Sequence, residues 1–439
     1  MTSGLERTLT SKAFISAALA LGVLGACGEQ DTILPGERVD LRAAPVVVNQ
    51  ARPISLPAQQ ANADWTHRNA NQRHQISHPA LGAALTPVFA ADIGQGDSRR
   101  ARITADPVVA GGVVYTLDAR AGVTATTTGG DTLWTVDLTP RRHNATDASG
   151  GGLSVTGGRL FVTTGFGELT VLDAATGREL WVQDLDAPAM AAPTVVGDLV
   201  YLVARDSTAW ALDVNTGRIR WQEAGTPSSA NFAGGAAPAV TDDIAIFPYP
   251  SGEVVATFPA GGLPRWSTVI SGDRLGRAAS LITDIGGDPV IDGNRVYVGN
   301  FGGRLVALDI RDGSRIWTAP EGAVSPVWPV GDAVFVINDL NELLRLDAAS
   351  GAPVWRIALP RFEDKPSARQ KAIFAHHGPV LAGGRLIVTS SDGLIRQFDP
   401  VSGADLGTIE IPGGAASGPV VAGQTLYVVS KTAQLHAFR

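Results

Sequence analysis

Few groups of residues in this 439-residue chain have the types and spacing that chemistry requires. His376 and His377, in IFAHHGPV, form the densest pair of imidazoles, a group that ligates zinc or moves protons near neutral pH. Neighbouring residues of a strand point to opposite faces, so both would reach one metal only from a loop. A histidine pair in a connecting loop is the plainer reading. His67, His74 and His78 recur near the N-terminus without a carboxylate at ligand spacing, and read as ordinary loop histidines. The sole thiol, Cys27, can form neither an internal disulfide nor a CxxC metal site. Neither a G-x-S-x-G nor a P-loop is present. No catalytic residue, metal site or cofactor is therefore expected. Two arginine-rich stretches, GDSRRAR (96–102) and PRRH (140–143), are basic loops that either meet an acidic partner or are simply solvated. A net charge of -7 argues against nucleic acid as a partner, because phosphate binding needs a basic surface.

The elements that would position such groups are short strands. The chain holds 51 Gly and 27 Pro with 44% hydrophobic residues, a composition of many strands joined by tight turns. LDAATGRELW (172–181) returns as LDVNTGRIRW (212–221), LDIRDGSRIW (308–317) and LDAASGAPVW (346–355). Tryptophans close six units: Trp134, Trp181, Trp221, Trp266, Trp317 and Trp355; a seventh, FDPVSGADLG (398–407), has Gly407 in that place with Leu406 beside it as the apolar substitute. A four-strand unit with a period of about 45 residues predicts a β-propeller blade. A glycine stands four residues before each Trp, suited to a turn with φ > 0. An Asp at the head of most of these turns supplies a carboxylate for backbone N–H groups two residues on. Each Trp is expected to wedge one blade against the next. The eighth unit, from Gly418, provides three strands before the chain ends. Trp65, in NADWTH (62–67), is assigned to the missing strand. The fold expected is all-β, an eight-bladed propeller of four-stranded antiparallel blades over residues 61–439, its ring closed by an N-terminal strand. A seven-bladed ring with a loose C-terminal segment is the alternative.

Residues 1–26 combine Arg7 and Lys12 with the apolar run AFISAALALGVLGA, too short to span a bilayer and of signal-peptide length. Leu24-Gly25-Ala26-Cys27 resembles the lipobox of bacterial lipoproteins, in which the signal is cut before the Cys and the Cys is acylated. That resemblance implies a lipid anchor at Cys27, with Gly28 next to it favouring the outer membrane; the other reading is a secretory signal with an incidental Cys. Residues 27–60, rich in Pro, Gln and charge without periodicity, read as the lipidated Cys and a flexible tether.

The A-x-D-x-x-T-G-x-x-x-W pattern resembles the tryptophan-docking motif of pyrroloquinoline-quinone (PQQ) type propellers. Two functions share it. Quinoprotein dehydrogenases bind PQQ and Ca²⁺ in the propeller funnel. Lipoproteins of the BamB family use an empty propeller as a scaffold in outer-membrane β-barrel assembly. The lipobox, the tether and the absence of an adjacent cysteine pair favour the second, a non-enzymatic role at the periplasmic side of the outer membrane. That resemblance implies the periplasmic domains of BamA as partner and also unfolded outer-membrane proteins as clients. It points to two inter-blade loops, 225–238 and 271–289. In the first, Ala230, Asn231 and Phe232 stand where the family has Leu and Arg. In the second, Asp284 replaces the first Asp of a D-x-D and Gly286 the second. Asn231, Phe232, Arg274, Arg277, Leu281, Ile282 and Asp284 are the candidate contacts, set against a reading in which the loops are connectors and Leu281 and Ile282 pack inward. A quinoprotein dehydrogenase and a propeller lipoprotein for another envelope ligand remain the alternatives.

Overall fold

The structure, a computed structural model, describes residues 49–228, 234–272, 274, 282–363 and 372–439. Cys27 and the signal segment lie outside the described residues, as do Asn231, Phe232, Arg277 and Leu281. Eight four-stranded antiparallel sheets follow one another, with blade 1 at 108–137, blade 2 at 151–184, blade 3 at 194–224, blade 4 at 239–269, blade 5 at 285–319, blade 6 at 328–358 and blade 7 at 376–410. Blade 8 joins both ends of the described chain: 420–438 supplies three strands and Pro87–Asp92 the fourth. Strands run A to D from the ring axis outward. In such a meander the A–B and C–D turns share one face, and the B–C turns and the D–A links between blades share the other.

The repeated turn has one construction. In blade 2 the Gly177 amide donates to the Asp173 carbonyl (2.8 Å), and the Asp173 carboxylate accepts the amide and hydroxyl of Thr176. Gly177 has φ 71°, a region where a Cβ is costly. The face of Trp134 from blade 1 lies on its Cα, so that a Cβ would come within 2.7 Å of the ring. The indole N–H donates to the Ala174 carbonyl of the same turn (3.2 Å). Trp181 meets Gly217, Trp221 meets Gly262, Trp266 meets Gly313, Trp317 meets Gly351 and Trp355 meets Gly403 in the same way. Beside each of these Trp residues the C–D ladder shifts register, for example between Val171 and Leu172 opposite Trp181. This bulge turns the side chain toward the neighbouring blade.

Closure corrects the assignment of Trp65. The fourth strand of blade 8 is Pro87–Asp92, which pairs with the C-terminal strand in the register Phe89↔Ala437 and Asp92↔Gln434. Its wedge is Phe89, whose ring lies 2.8 Å from where a Cβ on Gly130 of blade 1 would stand. The missing tryptophan of blade 7 follows from the same geometry. An indole there would need the C–D turn of blade 8, and that turn does not exist, because its strands come from opposite ends of the chain. Leu406 does not substitute for it, being 53% exposed.

Trp65 belongs instead to an axial plug. Strand A of each blade is an inner edge whose buried amides need partners, and residues 60–80 supply them. The Trp65 carbonyl accepts from Val109 of blade 1 (2.8 Å), Thr66 from Val155 of blade 2 (2.9 Å), Gln72 from Val240 of blade 4 (2.8 Å), Arg73 from Ile291 of blade 5 (3.0 Å) and Asn62 from Gly423 of blade 8 (2.8 Å). His67 Nε2 accepts from Val195 of blade 3 (3.1 Å), and His78 Nε2 from Gly384 of blade 7 (2.8 Å). Blade 6 contributes Trp328, stacked on Trp65 with centroids 6.5 Å apart. The plug therefore touches all eight blades, mostly toward the A–B face.

The segment before the plug is also held. In the expected tether, Asn49 and Gln50 bond to Arg356 and Val354 on the outer strand of blade 6, and Arg52 pairs with Asp332 and Asp347 at 2.9 and 2.7 Å. Arg345, wholly buried, donates to the carbonyls of Arg52 and Pro53. Arg385, buried in blade 7, donates to Gly82 (2.6 Å). Buried arginines stand in blades 6 and 7 because non-repeating backbone crosses there and its carbonyls require donors.

Two outcomes test this construction. Gly262→Ala, against Trp221, should destabilise the protein by about 2–4 kcal/mol, whereas Gly261→Ala, in open space one residue earlier, should stay within about 0.5 kcal/mol; denaturant midpoints measure both. The second concerns pH. Burial, then neighbouring His74, pushes His67 down to about 3, so His67 is neutral when folded and titrates near the ordinary 6.5 when unfolded. Its stabilisation is complete above about 6.5 and declines below it by about 1.4 kcal/mol per pH unit, until the folded value is reached. His67→Gln keeps an acceptor that does not titrate. Wild type should accordingly lose about 2 kcal/mol more than this variant between about pH 7 and about pH 5.

Candidate functional site

With the A–B face sealed, the axis is open at the face of the D–A links. There it forms a hollow of about 200 Å³ whose floor is the plug (Trp65, Arg68 and Asn69) and whose wall includes Asp106 and His377. Arg68 spans the floor. Its Nε lies 3.4 Å from Asp106 of the blade 8–1 link and its Nη1 3.2 Å from Asp288 of blade 5. Asp106 also accepts the Gly418 amide of blade 8 (2.6 Å), and Asp288 the Ala237 amide that enters blade 4 (2.9 Å). This brace escaped the sequence reading, since its members lie 38 to 220 positions apart; the one available signal was the polar density of 62–80.

The Asp288–Ala237 bond joins the roots of the two candidate loops. They lie side by side on the funnel face, as the blade order requires. In the first, the Gly225 amide donates to the Ser207 carbonyl (2.7 Å), and the amide and hydroxyl of Thr226 both reach Glu253 (3.1 and 3.0 Å). In the second, Arg274 binds Asp339 through two nitrogens (2.8 and 3.0 Å) and Glu321 through Nη2 (2.9 Å). Glu321 and Asp339 belong to the blade 5–6 link and the B–C turn of blade 6, so Arg274 reaches past blade 5 to the next blade. Its stem lies over Gly303, where a Cβ would meet Cγ at 2.8 Å. Arg356 extends the network to Glu321 and Glu342 (2.6 and 2.5 Å). A guanidinium held bidentately fixes geometry as well as charge; Arg274 is thus engaged within the protein. Asp284 is 4% exposed and its carbonyl accepts the Phe301 amide (2.9 Å), so its side chain is not a rim charge. Ile282 is half-buried and Thr283 between them is exposed.

The histidines are not gathered around a metal. His376 and His377 open strand A of blade 7 instead of lying in a loop. They face opposite ways: His376 bonds Ser390 Oγ and the Pro360 carbonyl (both 2.7 Å), and His377 faces the funnel. Burial lowers both, His377 to about 4. Among the described residues no group of three or more His, Cys, Asp and Glu side chains is placed to hold an ion. The funnel residues do not fit a quinone with Ca²⁺ either. The plug occupies the floor, and Arg68 is committed to two carboxylates.

Among known proteins, the BamB assembly factor of Shewanella oneidensis is 24% identical over 322 residues, covering 70% of this chain and 76% of the relative. The crystal structure of BamB from Moraxella catarrhalis superposes with a TM-score of 0.67 at 20% identity, over 81% of this chain and 100% of that one. The quinohemoprotein alcohol dehydrogenase of Comamonas testosteroni has a TM-score of 0.65 at 14% identity, over 86% of this chain and 80% of that one. Backbone likeness at this level is common to scaffold and enzyme and shows the fold alone. The family model described as outer membrane protein assembly factor BamB matches residues 112–357 and 346–439, from blade 1 to the C-terminus, and the chain therefore belongs to the BamB family.

Proposed function

We propose that the protein is a non-catalytic scaffold lipoprotein of the outer-membrane β-barrel assembly machinery. It would be anchored through Cys27 on the periplasmic side and bind the periplasmic domains of BamA. The match to the BamB family over residues 112–439 carries this reading. The joined roots of loops 225–238 and 271–289 support the location of the contact, since loops braced on a rigid scaffold present side chains with little ordering cost. Phe232 serves as the aromatic anchor and the exposed Thr283 as a second contact; Arg274 acts through the loop it positions. Unfolded outer-membrane proteins are the clients of the machinery as a whole.

In surface-plasmon measurements with immobilised BamA periplasmic domains, Phe232→Ala should speed dissociation about tenfold or more. Thr283→Arg should weaken capture, and Arg274→Lys should lie between wild type and Arg274→Ala, because an ammonium keeps the charge but not the fork. Failure of the wild-type chain to bind these domains overturns the reading. Turnover of an alcohol or sugar after reconstitution with PQQ and Ca²⁺ would favour the dehydrogenase instead. For the anchor, Cys27→Ala should move the protein from the membrane to the soluble fraction without changing its melting temperature; a variant that stays membrane-bound in high salt argues against lipid.

A further inference from the structure

A basic hollow lies across the funnel face from the two candidate loops. It is built by the blade 8–1 link, the B–C turn of blade 1 and the blade 1–2 link, and lined by Ser98, Arg99, Arg100, Ala101, Arg120 and Thr146. These loops are held in place. The Ser98 and Ala101 backbones close a turn (2.7 Å) that carries Arg99 and Arg100 at its tip, and Asp97 anchors the turn to Lys431 and Ile103. Asp118 accepts the Arg120 amide (2.7 Å), and Asn144 and Asp147 close the loop that bears Thr146. Arg141 and Arg142 lie on that same loop and are exposed.

The charges here are not neutralised from within. Among the described residues Arg102 pairs with Asp97 (3.0 Å) and His143 stands 3.9 Å from Asp147. Among the described residues, Arg99, Arg100, Arg120, Arg141 and Arg142 form no ion pair with a carboxylate. Arg120 Nε is moreover without a hydrogen-bond partner among the described residues. This concentration of cations occurs in a chain of net charge -7. The set is all arginine, the side chain whose planar fork fits carboxylates in pairs.

We infer that this hollow is a second docking site, for an acidic polypeptide segment whose Asp or Glu side chains enter between Arg99, Arg100 and Arg120. A membrane surface suits it less well. Arg120 is half-buried in the hollow, where a carboxylate on a polypeptide side chain can enter and the planar surface of a bilayer cannot follow. A narrow acidic segment touches the basic side alone. The inference is independent of how BamA binds, since the two surfaces lie on opposite sides of the ring.

The test is fluorescence anisotropy of the full chain in detergent with a labelled, glutamate-rich peptide at low ionic strength, where exposed charges are weakly screened. Binding is expected, weakening steadily with added salt. The double variant Arg99→Glu/Arg120→Glu should lose at least tenfold in affinity. Arg178→Glu/Arg218→Glu makes the same change of net charge on the C–D turns of the opposite face, and should stay within twofold of wild type. Absence of peptide binding, an equal loss in both double variants, or release of the peptide by phosphatidylglycerol mixed into the detergent micelles in preference to excess unlabelled peptide would each overturn the proposal. Circular dichroism and melting temperature of both variants separate lost binding from lost fold.

Discussion

The constraint on which the ring depends is the contact of an indole face with a bare Cα. Six times the glycine of a C–D turn leaves room for the tryptophan of the preceding blade, and once, at Gly130, for Phe89. A tight turn alone would ask for glycine because of its backbone conformation. Here steric access asks for it a second time, and the indole N–H then bonds a carbonyl of the turn on which it rests. Removing such a ring costs about 3–5 kcal/mol in a packed site. Since the wedge always points to the next blade, blade order, ring direction and the absence of a tryptophan in blade 7 are one fact seen three ways.

A closed ring of sheets leaves its inner edges unsolved. The A strands present amides to the axis, and water can serve them only if the channel stays open. This protein uses its own chain. The plug offers carbonyls at five blades and imidazole nitrogens at two, and it stacks an indole on the sixth blade. The donor–acceptor pattern also settles the histidine tautomers. His67 and His78 accept at Nε2, so their protons sit on Nδ1, facing Thr66 Oγ1 and the Pro57 carbonyl. Sealing one face gives the molecule a single open mouth, and the link loops around that mouth are what the scaffold can present.

The loops are positioned by charge where packing is thin. Arg68 braces the floor between Asp106 and Asp288, and Arg274 ties a long link to blade 6 through Asp339 and Glu321. Buried carboxylates paired bidentately are expensive to desolvate but hold register well. They suit a part of the molecule that must keep a shape with little apolar surface to bury. The same face thus has an acidic, internally satisfied side and a basic side where, among the described residues, Arg99, Arg100 and Arg120 form no ion pair.

Local signals in the chain were sufficient for everything that repeats. Gly177, Gly217 and Gly351 marked their turns, the Trp series marked the outer strands, and the eight-bladed, strand-closed ring followed from the spacing and from an eighth unit that lacked a strand. These features are legible because each is made within about 45 residues and recurs with the period of a blade. Where a function depends on one non-repeating contact, tertiary structure decided. Trp65 looked like a seventh wedge but lies in the plug, whereas the true closing strand, with Phe89 at the docking position, carries no tryptophan to announce it. Arg274 and Asp284 looked like surface charges; one is clamped to another blade and the other is buried. The physical reason is common to these cases. A side chain's exposure and partner are set by which distant segments the ring brings over it, and no local spacing records that.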